Sequence, residues 1–201
     1  MHDIGLVVKC VVTDQGSNNQ SLFDNYLKVS PSKPYFTVND NKIFVMYDPP
    51  HLLKSIRNNF HKYDLCFDGR TVSFKHIEAL YKLESTKVIG LKLTPKLTQK
   101  HISLTGFSKM NVKLASQVFS HSVYMLHCHS KDLPPEAADT AEFVRKVDNL
   151  FDCFNSDSLH SCKLFKCALR SESVHKEFLL DTAKKLESCT FIGCKKPPHA
   201  Y

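Results

Sequence analysis

Two aspartates follow predicted strands and are the first candidates for chemistry. The apolar, β-branched residues 6–13 predict a buried strand that ends at Asp14, and residues 42–47 predict a second strand that ends at Asp48. Functional groups collect at the carboxyl ends of strands in open parallel sheets. Carboxylates there suit Mg²⁺, so metal-dependent phosphoryl transfer is one hypothesis. The alternative is that each aspartate caps a helix or opens a turn.

A second candidate site lies near the end of a predicted helix. Asp152 and Asn155 are three residues apart and therefore share a helix face, and Phe151 precedes them. A carboxylate that accepts two N–H groups matches the edge of guanine, on which Phe151 can stack. The alternative is an ordinary helix end capped by Asn155. Phe151 and Phe154 would then lie in the core.

Basic side chains follow Asp48 on the next predicted helix. Pro49 and Pro50 are tolerated in a first helical turn, and the apolar residues at 52, 53 and 56 fall on one face. Phosphate contacts and a solvated helix face are both consistent with the basic residues that follow, Lys54, Arg57 and Lys62.

The composition describes a folded, mildly basic chain. Its 201 residues include 27 Lys plus Arg against 20 Asp plus Glu, and 42% are hydrophobic. These values exclude a disordered tail and a collagen-like fibre. No apolar run reaches the length of a membrane-spanning helix, so we expect no membrane partner. The net charge of +7 suits an anionic partner such as nucleic acid or nucleotide phosphate, although no glycine-rich phosphate loop is present.

The pattern of predicted elements changes near residue 65. Strand, helix at 21–27, strand and helix come first, which is typical of a mostly parallel α/β sheet. Helical periodicity then dominates at residues 74–83, 112–125, 135–154 and 173–186. Two strands cannot bury both faces of a sheet, so the first part is expected to be incomplete. The predicted fold class is α/β plus α, a partial α/β domain followed by a mostly helical domain.

Several separated sequence blocks occur together in one order. They are VTDQGSNN (12–19), KIFVMYDPPHLLKSIRNN (42–59), KLTQKH (96–101), KMNVKLASQVFS (109–120), LP (133–134), TAEF (140–143) and DNLFDCFNS (148–156). With these blocks the chain resembles the P-element transposase family, which includes THAP-domain transposase-like proteins. The resemblance covers the chain up to about residue 185.

The resemblance implies a fold and a function. Family members are DNA transposases whose ribonuclease-H-like catalytic domain is interrupted by a helical GTP-binding insertion domain. A zinc-dependent THAP DNA-binding domain and a dimerising coiled coil precede it. For this chain, the resemblance implies a partial ribonuclease-H-like domain at 1–60, the insertion domain at 61–190 and a divergent tail at 191–201. We expect a fragment of a P-element-like DNA transposase, without the THAP module.

The resemblance also implies a metal site. Asp48 matches the second catalytic acid, a Mg²⁺ ligand in DNA cleavage and strand transfer. The first acid is expected before residue 1, and a closing glutamate is expected after residue 201. With one of three acids, this chain alone is expected to be catalytically incomplete. No role is assigned to Asp14.

GTP acts in this family as a binding cofactor that is not thought to be hydrolysed. The resemblance implies contacts between its base and Phe151, Asp152 and Asn155. It implies phosphate or wall contacts from a block that contains Lys109, Lys113 and Ser116.

The expected partners of the full protein are transposon ends, target DNA, GTP and further copies of itself, and its expected location is the nucleus. Lys54, Arg57 and Lys62 are the candidates for DNA-backbone contacts. The alternative function is a domesticated or degenerate module that binds GTP or DNA without catalysis.

Overall fold

The computed structural model describes residues 5–86, 92–129 and 131–194, without the side chains of residues 126, 128 and 129. The described part has a mixed α/β fold with two small sheets. The chain divides into two compact units, Met1–Leu52 and Leu53–Tyr201. Residues 195–201, which make up most of the predicted divergent tail, lie outside the described residues.

The first unit contains a three-stranded sheet. Its strands are β1 (Cys10–Thr13), β2 (Tyr35–Val38) and β3 (Asn41–Tyr47), with β3 in the centre. β1 runs parallel to β3 and pairs Thr13 with Tyr47, whereas β2 runs antiparallel to β3. The parallel pairing of the two predicted strands is confirmed, but the buried strand predicted at 6–13 is corrected, because β1 begins at Cys10 and none of its residues is buried. The pairing brings the carboxyl ends of β1 and β3 to the same edge of the sheet.

The strand β2 is an addition that the sequence analysis did not predict, because Pro31 and Pro34 indicated a loop. The strand begins directly after Pro34 and joins β3 through Asn39 and Asp40, both at positive φ. This two-residue turn is typical of a tight β-hairpin. The rings of Tyr35 and Phe44 lie 5.7 Å apart across the strand pair, which supports the register.

The helical segment after β1 differs from the prediction for residues 21–27. α1 (Ser17–Ser21) continues into a π-helical turn, Leu22–Tyr26. Phe23 is the buried residue of this turn, and its ring meets that of Tyr47 at 6.5 Å. The helix therefore begins earlier than predicted, and the ring contact between Phe23 and Tyr47 connects its π-helical turn to β3.

The sheet of the first unit leaves apolar side chains uncovered. Val12 is 56% exposed, Phe44 47% and Met46 39%. A sheet of three short strands lacks enough neighbouring structure to bury both faces. These apolar side chains of the sheet are therefore open to solvent.

The second unit is built mainly of helices. α2 (Pro49–Lys62) begins in the first unit and continues into the second, as predicted from Pro49. The other helices are α3 (Phe74–Thr86), α4 (Gln99–Ile102), α5 (Gly106–Met110), α6 (Val112–Val118), α7 (His121–His129), α8 (Ala137–Phe154) and α9 (His175–Glu187).

The helices surround a cluster of aromatic side chains. Phe60 lies 5.5 Å from Phe74 and 5.0 Å from Phe143, measured between ring centroids. Phe119 lies 6.1 Å from Phe143. Because Phe119 turns into this core at 1% exposure, the helix predicted at 112–125 is split there into α6 and α7.

Three short strands accompany these helices. β4 (Leu65–Phe67) pairs antiparallel with both β5 (Arg70–Val72) and β6 (Thr190–Phe191). Phe191, which follows shortly after α9, packs against the hydrophobic core cluster of the second unit. The strands are too short for their alternating pattern to stand out in the sequence.

None of the described helices is long and apolar enough to cross a membrane.

Candidate functional site

The carboxyl ends of β1 and β3 bring two predicted aspartates together. Asp48 donates its backbone N–H to the Thr13 carbonyl at 2.7 Å, directly beside Asp14. Asp14 Oδ1 accepts hydrogen bonds from the Gly16 N–H at 3.0 Å and from Asn19 Nδ2 at 2.8 Å. The Gly16 bond, followed by the Asn19 bond, lowers the pKa of Asp14, and the charge of His51 acts in the same direction. Asp14 is therefore an ionised turn-forming residue.

Asp48 is placed at the first turn of α2. Its Oδ2 lies 2.6 Å from His51 Nδ1 and accepts the His51 backbone N–H at 3.2 Å. These are the contacts of a helix-capping residue. The carboxylate is one-third exposed and offers hard oxygen ligands, which fit Mg²⁺. Across the described residues, no group of three or more His, Cys, Asp or Glu side chains is arranged to hold a metal ion.

The residues of α2 that were predicted to contact DNA differ in their exposure to solvent. Arg57 is fully buried, and its Nη2 donates to the carbonyls of Ser108 at 2.9 Å and Lys109 at 3.1 Å. Burial lowers the pKa of Arg57. The predicted phosphate contact of Arg57 is corrected here, because a guanidinium enclosed in the second unit cannot meet a DNA backbone from solvent.

Lys54 and Lys62 remain accessible on the same helix. Lys54 is half-buried, whereas Lys62 is exposed and lies 4.8 Å from the centre of the Tyr63 ring. The hydrogen bond and charge of Tyr63 raise the pKa of Lys62. Both lysines can present a positive charge to a phosphate.

The predicted phosphate block spans two short helices. Lys109 is in the last turn of α5, and Lys113 and Ser116 are on α6. The lysine residues are exposed, and Ser116 Oγ donates to the Lys113 carbonyl at 3.0 Å. Arg57 and Asn58 both bond the Lys109 carbonyl, so α2 fixes the backbone at the start of this block.

The predicted guanine contacts lie at the C-terminal end of α8. Asp152 is 7% exposed, and Phe151 packs on the core. Asn155 follows the helix and donates its backbone N–H to the Phe151 carbonyl at 2.9 Å. Phe154, placed in the core by the helix-end alternative, is 46% exposed instead.

The two groups of predicted GTP contacts are held by different neighbours. The phosphate block is attached to α2, while the end of α8 is attached to the loop that follows it. No hydrogen bond or ion pair among the described residues joins the two groups directly.

Comparison with protein families identifies the second unit. The sequence model described as TNP-like, GTP-binding insertion domain matches residues 50–168, more than half of the chain. The chain belongs to this family. The matched segment begins in the first turn of α2 and includes the phosphate block and all of α8.

Two curated relatives are similar over most of the chain. The Transposable element P transposase of Drosophila melanogaster is 34% identical over 175 residues, which cover 84% of this chain and 23% of the relative. The human DNA transposase THAP9 is 27% identical over 175 residues, which cover 78% of this chain and 18% of the relative. The chain spans less than a quarter of the length of either protein.

A solved structure has a similar fold. The match is to a chain of the Drosophila P element transposase strand transfer complex, with a TM-score of 0.85 and 27% sequence identity. It covers 98% of this chain and 46% of that chain. The prediction of a P-element-like transposase fragment with a GTP-binding insertion domain is confirmed.

One residue of the candidate guanine site was missed by the sequence analysis. Lys163 Nζ lies 2.6 Å from Asp152 Oδ2 and 3.4 Å from Asp148 Oδ2. The four-residue spacing of Asp148 and Asp152 already places two acids on one face of α8. The loop position of Lys163 carried no such periodic signal, so only the folded chain reveals the contact.

Proposed function

We propose that the insertion domain of this chain binds GTP and that the full protein uses the bound nucleotide in DNA cleavage and strand transfer. The observation that carries the proposal is Asp152. It is a nearly buried carboxylate at the end of α8, inside the segment that matches the GTP-binding family. A buried carboxylate needs N–H partners, and guanine offers two on one edge.

The residues around Asp152 suit a purine base. Phe151 precedes the carboxylate and offers an aromatic face, and the exposed Asn155 side chain adds an amide that can donate and accept. We propose that Asp152 accepts the N1–H and the amino group of guanine, while Phe151 and Asn155 contact the rest of the base.

Lys109, Lys113 and Ser116 are proposed to contact the phosphates or the wall beside them. The exposed ammonium groups of both lysines supply positive charge, and Ser116 supplies a hydroxyl. Their backbone is anchored because Arg57 and Asn58 bond the Lys109 carbonyl. Phosphate recognition by side chains needs no glycine-rich loop.

The first unit is proposed to be part of a ribonuclease-H-like catalytic domain. The exposed face of its sheet, which carries Val12, Phe44 and Met46, supports this proposal, because further strands and helices of a larger domain can cover it. Asp48 is the proposed Mg²⁺ ligand of this segment, together with acids from other parts of the full protein. Bound Mg²⁺ would supply the activation of the attacking oxygen and the stabilisation of charge on the phosphate.

Lys54 and Lys62 are the proposed DNA-backbone contacts. We expect Lys54→Glu combined with Lys62→Glu to flatten the dependence of DNA binding on salt concentration, because fewer phosphate counterions are released. Lys100→Glu with Lys176→Glu makes the same charge change elsewhere and serves as control. An unchanged slope in the first variant would remove these lysines from the interface.

The resemblance to the P-element transposase family also supports proposals about the other partners and the location of the full protein. The full protein is expected to act in the nucleus, to bind transposon ends and target DNA, and to assemble with further copies of itself. A THAP DNA-binding domain belongs to this proposal as a part of the longer protein.

A fluorescent GTP titration tests the central proposal. After circular dichroism has shown that the chain is folded, we expect saturable binding that GTP displaces and ATP does not. Asp152→Ala should abolish the binding, whereas Asp157→Ala, an exposed acid in the following loop, should retain it. A folded chain that does not bind GTP would refute the nucleotide site.

A second candidate function is binding without catalysis. A Mg²⁺-dependent nicking assay on transposon-end DNA separates the two functions. Cleavage that is lost in Asp48→Asn supports the enzyme, while GTP binding with no cleavage by the full-length protein supports the binding module.

A further inference from the structure

Lys163 is the one positive charge paired with the carboxylates at the end of α8 in the described part of the chain. Its ammonium contacts Asp152 Oδ2 at 2.6 Å and Asp148 Oδ2 at 3.4 Å. The side chains of Asp148 and Asp152 are 14% and 10% exposed, whereas that of Lys163 is 45% exposed. Two nearly buried acids on one helix face therefore share a single lysine.

We propose that Lys163 is a positioning residue that orients the Asp152 carboxylate and balances its charge for recognition of guanine. This inference rests on the proposed GTP site. A carboxylate accepts two guanine N–H groups only in its ionised form, because a protonated carboxyl turns one oxygen into a donor. Lys163 places a positive charge against both acids and opposes the rise in the pKa of Asp148 that burial causes.

The loop that carries Lys163 is held in place by several contacts. The Lys166 N–H donates to the Lys163 carbonyl at 3.1 Å, and the Ala168 N–H donates to the Ser158 carbonyl at 3.0 Å. The ring of Phe165 packs 4.3 Å from that of Phe178 on α9. These bonds place the ammonium before any ligand arrives, so the carboxylate is ready to accept guanine.

The charges around Lys163 affect the pKa values of Asp148 and of Lys163 itself. Burial raises the pKa of Asp148, and the negative charge of Asp152 adds to that rise while Lys163 opposes it. Burial lowers the pKa of Lys163, but its bonds and charges with Asp152 and Asp148 outweigh this and raise the pKa overall. His121 on α7 also acts on Asp148, and Cys153 lies next to Asp152 on α8. Removal of Lys163 therefore leaves the rise in the pKa of Asp148 without this opposing charge.

The test is the pH dependence of GTP affinity in the folded full chain, measured from pH 6 to 8. Wild type is expected to bind GTP with nearly constant affinity. Lys163→Gln should bind about tenfold more weakly at pH 6 and recover toward pH 8, because Lys163 no longer opposes the raised pKa of Asp148 and this neighbour of Asp152 holds a proton more readily at the lower pH. Lys163→Arg, which keeps the charge, should restore the flat profile.

Two controls separate this role from other effects. Lys166→Gln removes a nearby lysine with no described acidic partner and should behave as wild type. Because histidines titrate in the same range, the series is repeated in His121→Gln, where the Lys163→Gln effect should persist. Inosine triphosphate, which lacks the guanine amino group, should be less sensitive to Lys163→Gln than GTP.

The outcomes distinguish the two proposals. If wild type and Lys163→Gln bind GTP alike at every pH, or if the loss is the same at every pH, the role of Lys163 is refuted and the GTP site stands. If the folded wild-type chain binds no GTP, the proposed function fails and this inference fails with it.

Discussion

Arg57 carries a positive charge into the interior of the second unit, and its contacts explain how the fold accommodates it. The guanidinium donates to two backbone carbonyls and, through Nε, to Asn58 Oδ1 at 2.9 Å. The carbonyls belong to Ser108 and Lys109, just before the second of the two helices that carry the proposed phosphate contacts. Arg57, which the sequence analysis predicted to contact DNA, therefore connects α2 to the backbone of α5.

Replacement of Arg57 should destabilise the fold. We expect Arg57→Met to lower the free energy of unfolding by about 2–4 kcal/mol, because two carbonyls lose a charged donor in the interior. Lys54→Met, on the same helix but with no described hydrogen bond, should change it by less than about 0.5 kcal/mol. Urea unfolding measures both. Equal stability of the two variants would contradict a structural role for Arg57.

The buried His127 makes the stability of the second unit depend on pH. It is 4% exposed, Nδ1 donates to the Ala137 carbonyl at 3.0 Å, and Nε2 is buried without a described partner. Burial lowers the pKa of His127 from 6.5 to about 4. The folded chain therefore keeps this ring neutral at a pH where the unfolded chain protonates it.

The direction in which pH changes stability follows from the lower pKa of His127 in the folded chain than in the unfolded chain. His127 contributes full stability above pH 6.5, and the contribution is lost as pH falls toward about 4. The loss is at most about 3 kcal/mol. We expect His127→Gln to be less sensitive to pH in urea unfolding between pH 7 and 4, whereas the exposed His160→Gln should match wild type. A His127→Gln profile parallel to wild type would argue against this assignment.

At the scale of elements, tight turns decide where the short strands form. β4 and β5 are joined by Asp68 and Gly69, whose φ angles are +54° and +73°. Both angles lie in the left-handed region, as a two-residue hairpin requires. The turn fixes the register in which Leu65 pairs with Val72, and both side chains enter the core.

Two glycines provide a matched test of this turn. Gly69→Ala should cost about 1 kcal/mol, because alanine is strained at positive φ even though the added methyl group meets no atom within 4 Å. Gly106→Ala, at the start of α5, also has free space and no positive φ, so it should stabilise the chain by about 0.5 kcal/mol. Thermal unfolding measures the stability of both variants. Melting temperatures that shift in the same direction would contradict the assignment of the turn.

At the scale of the whole molecule, the two units differ in how much core they contain. The hydrophobic cluster lies entirely within the second unit, from Leu53 to Phe191. The first unit has a narrow sheet with exposed apolar side chains. Regions with few buried apolar contacts open more readily than a well-packed core.

Hydrogen exchange should reveal this difference. We expect the paired amides of β1 and β3 to exchange at least about tenfold faster than those in the centres of α3 and α8. The comparison is made within one sample by mass spectrometry or NMR, so solution conditions are identical. Equal protection would indicate that the sheet is as stable as the helical core.

Sequence analysis gave correct expectations where a signal repeats along the chain. The strands β1 and β3 follow from runs of apolar, β-branched residues, and the helices α2, α3, α8 and α9 follow from helical periodicity. The family resemblance similarly depends on ordered blocks of residues, and the family match confirms it. The metal and nucleotide roles assigned through it remain predictions.

Tertiary structure alone decided the features that join distant residues. Burial of Arg57 depends on carbonyls 51 and 52 positions away, and Lys163 meets Asp152 across 11 positions of irregular loop. The split between α6 and α7 follows from the place of Phe119 in the core. Charge type and helical spacing indicate which residues can act, but burial and pairing depend on long-range packing, which no local period encodes.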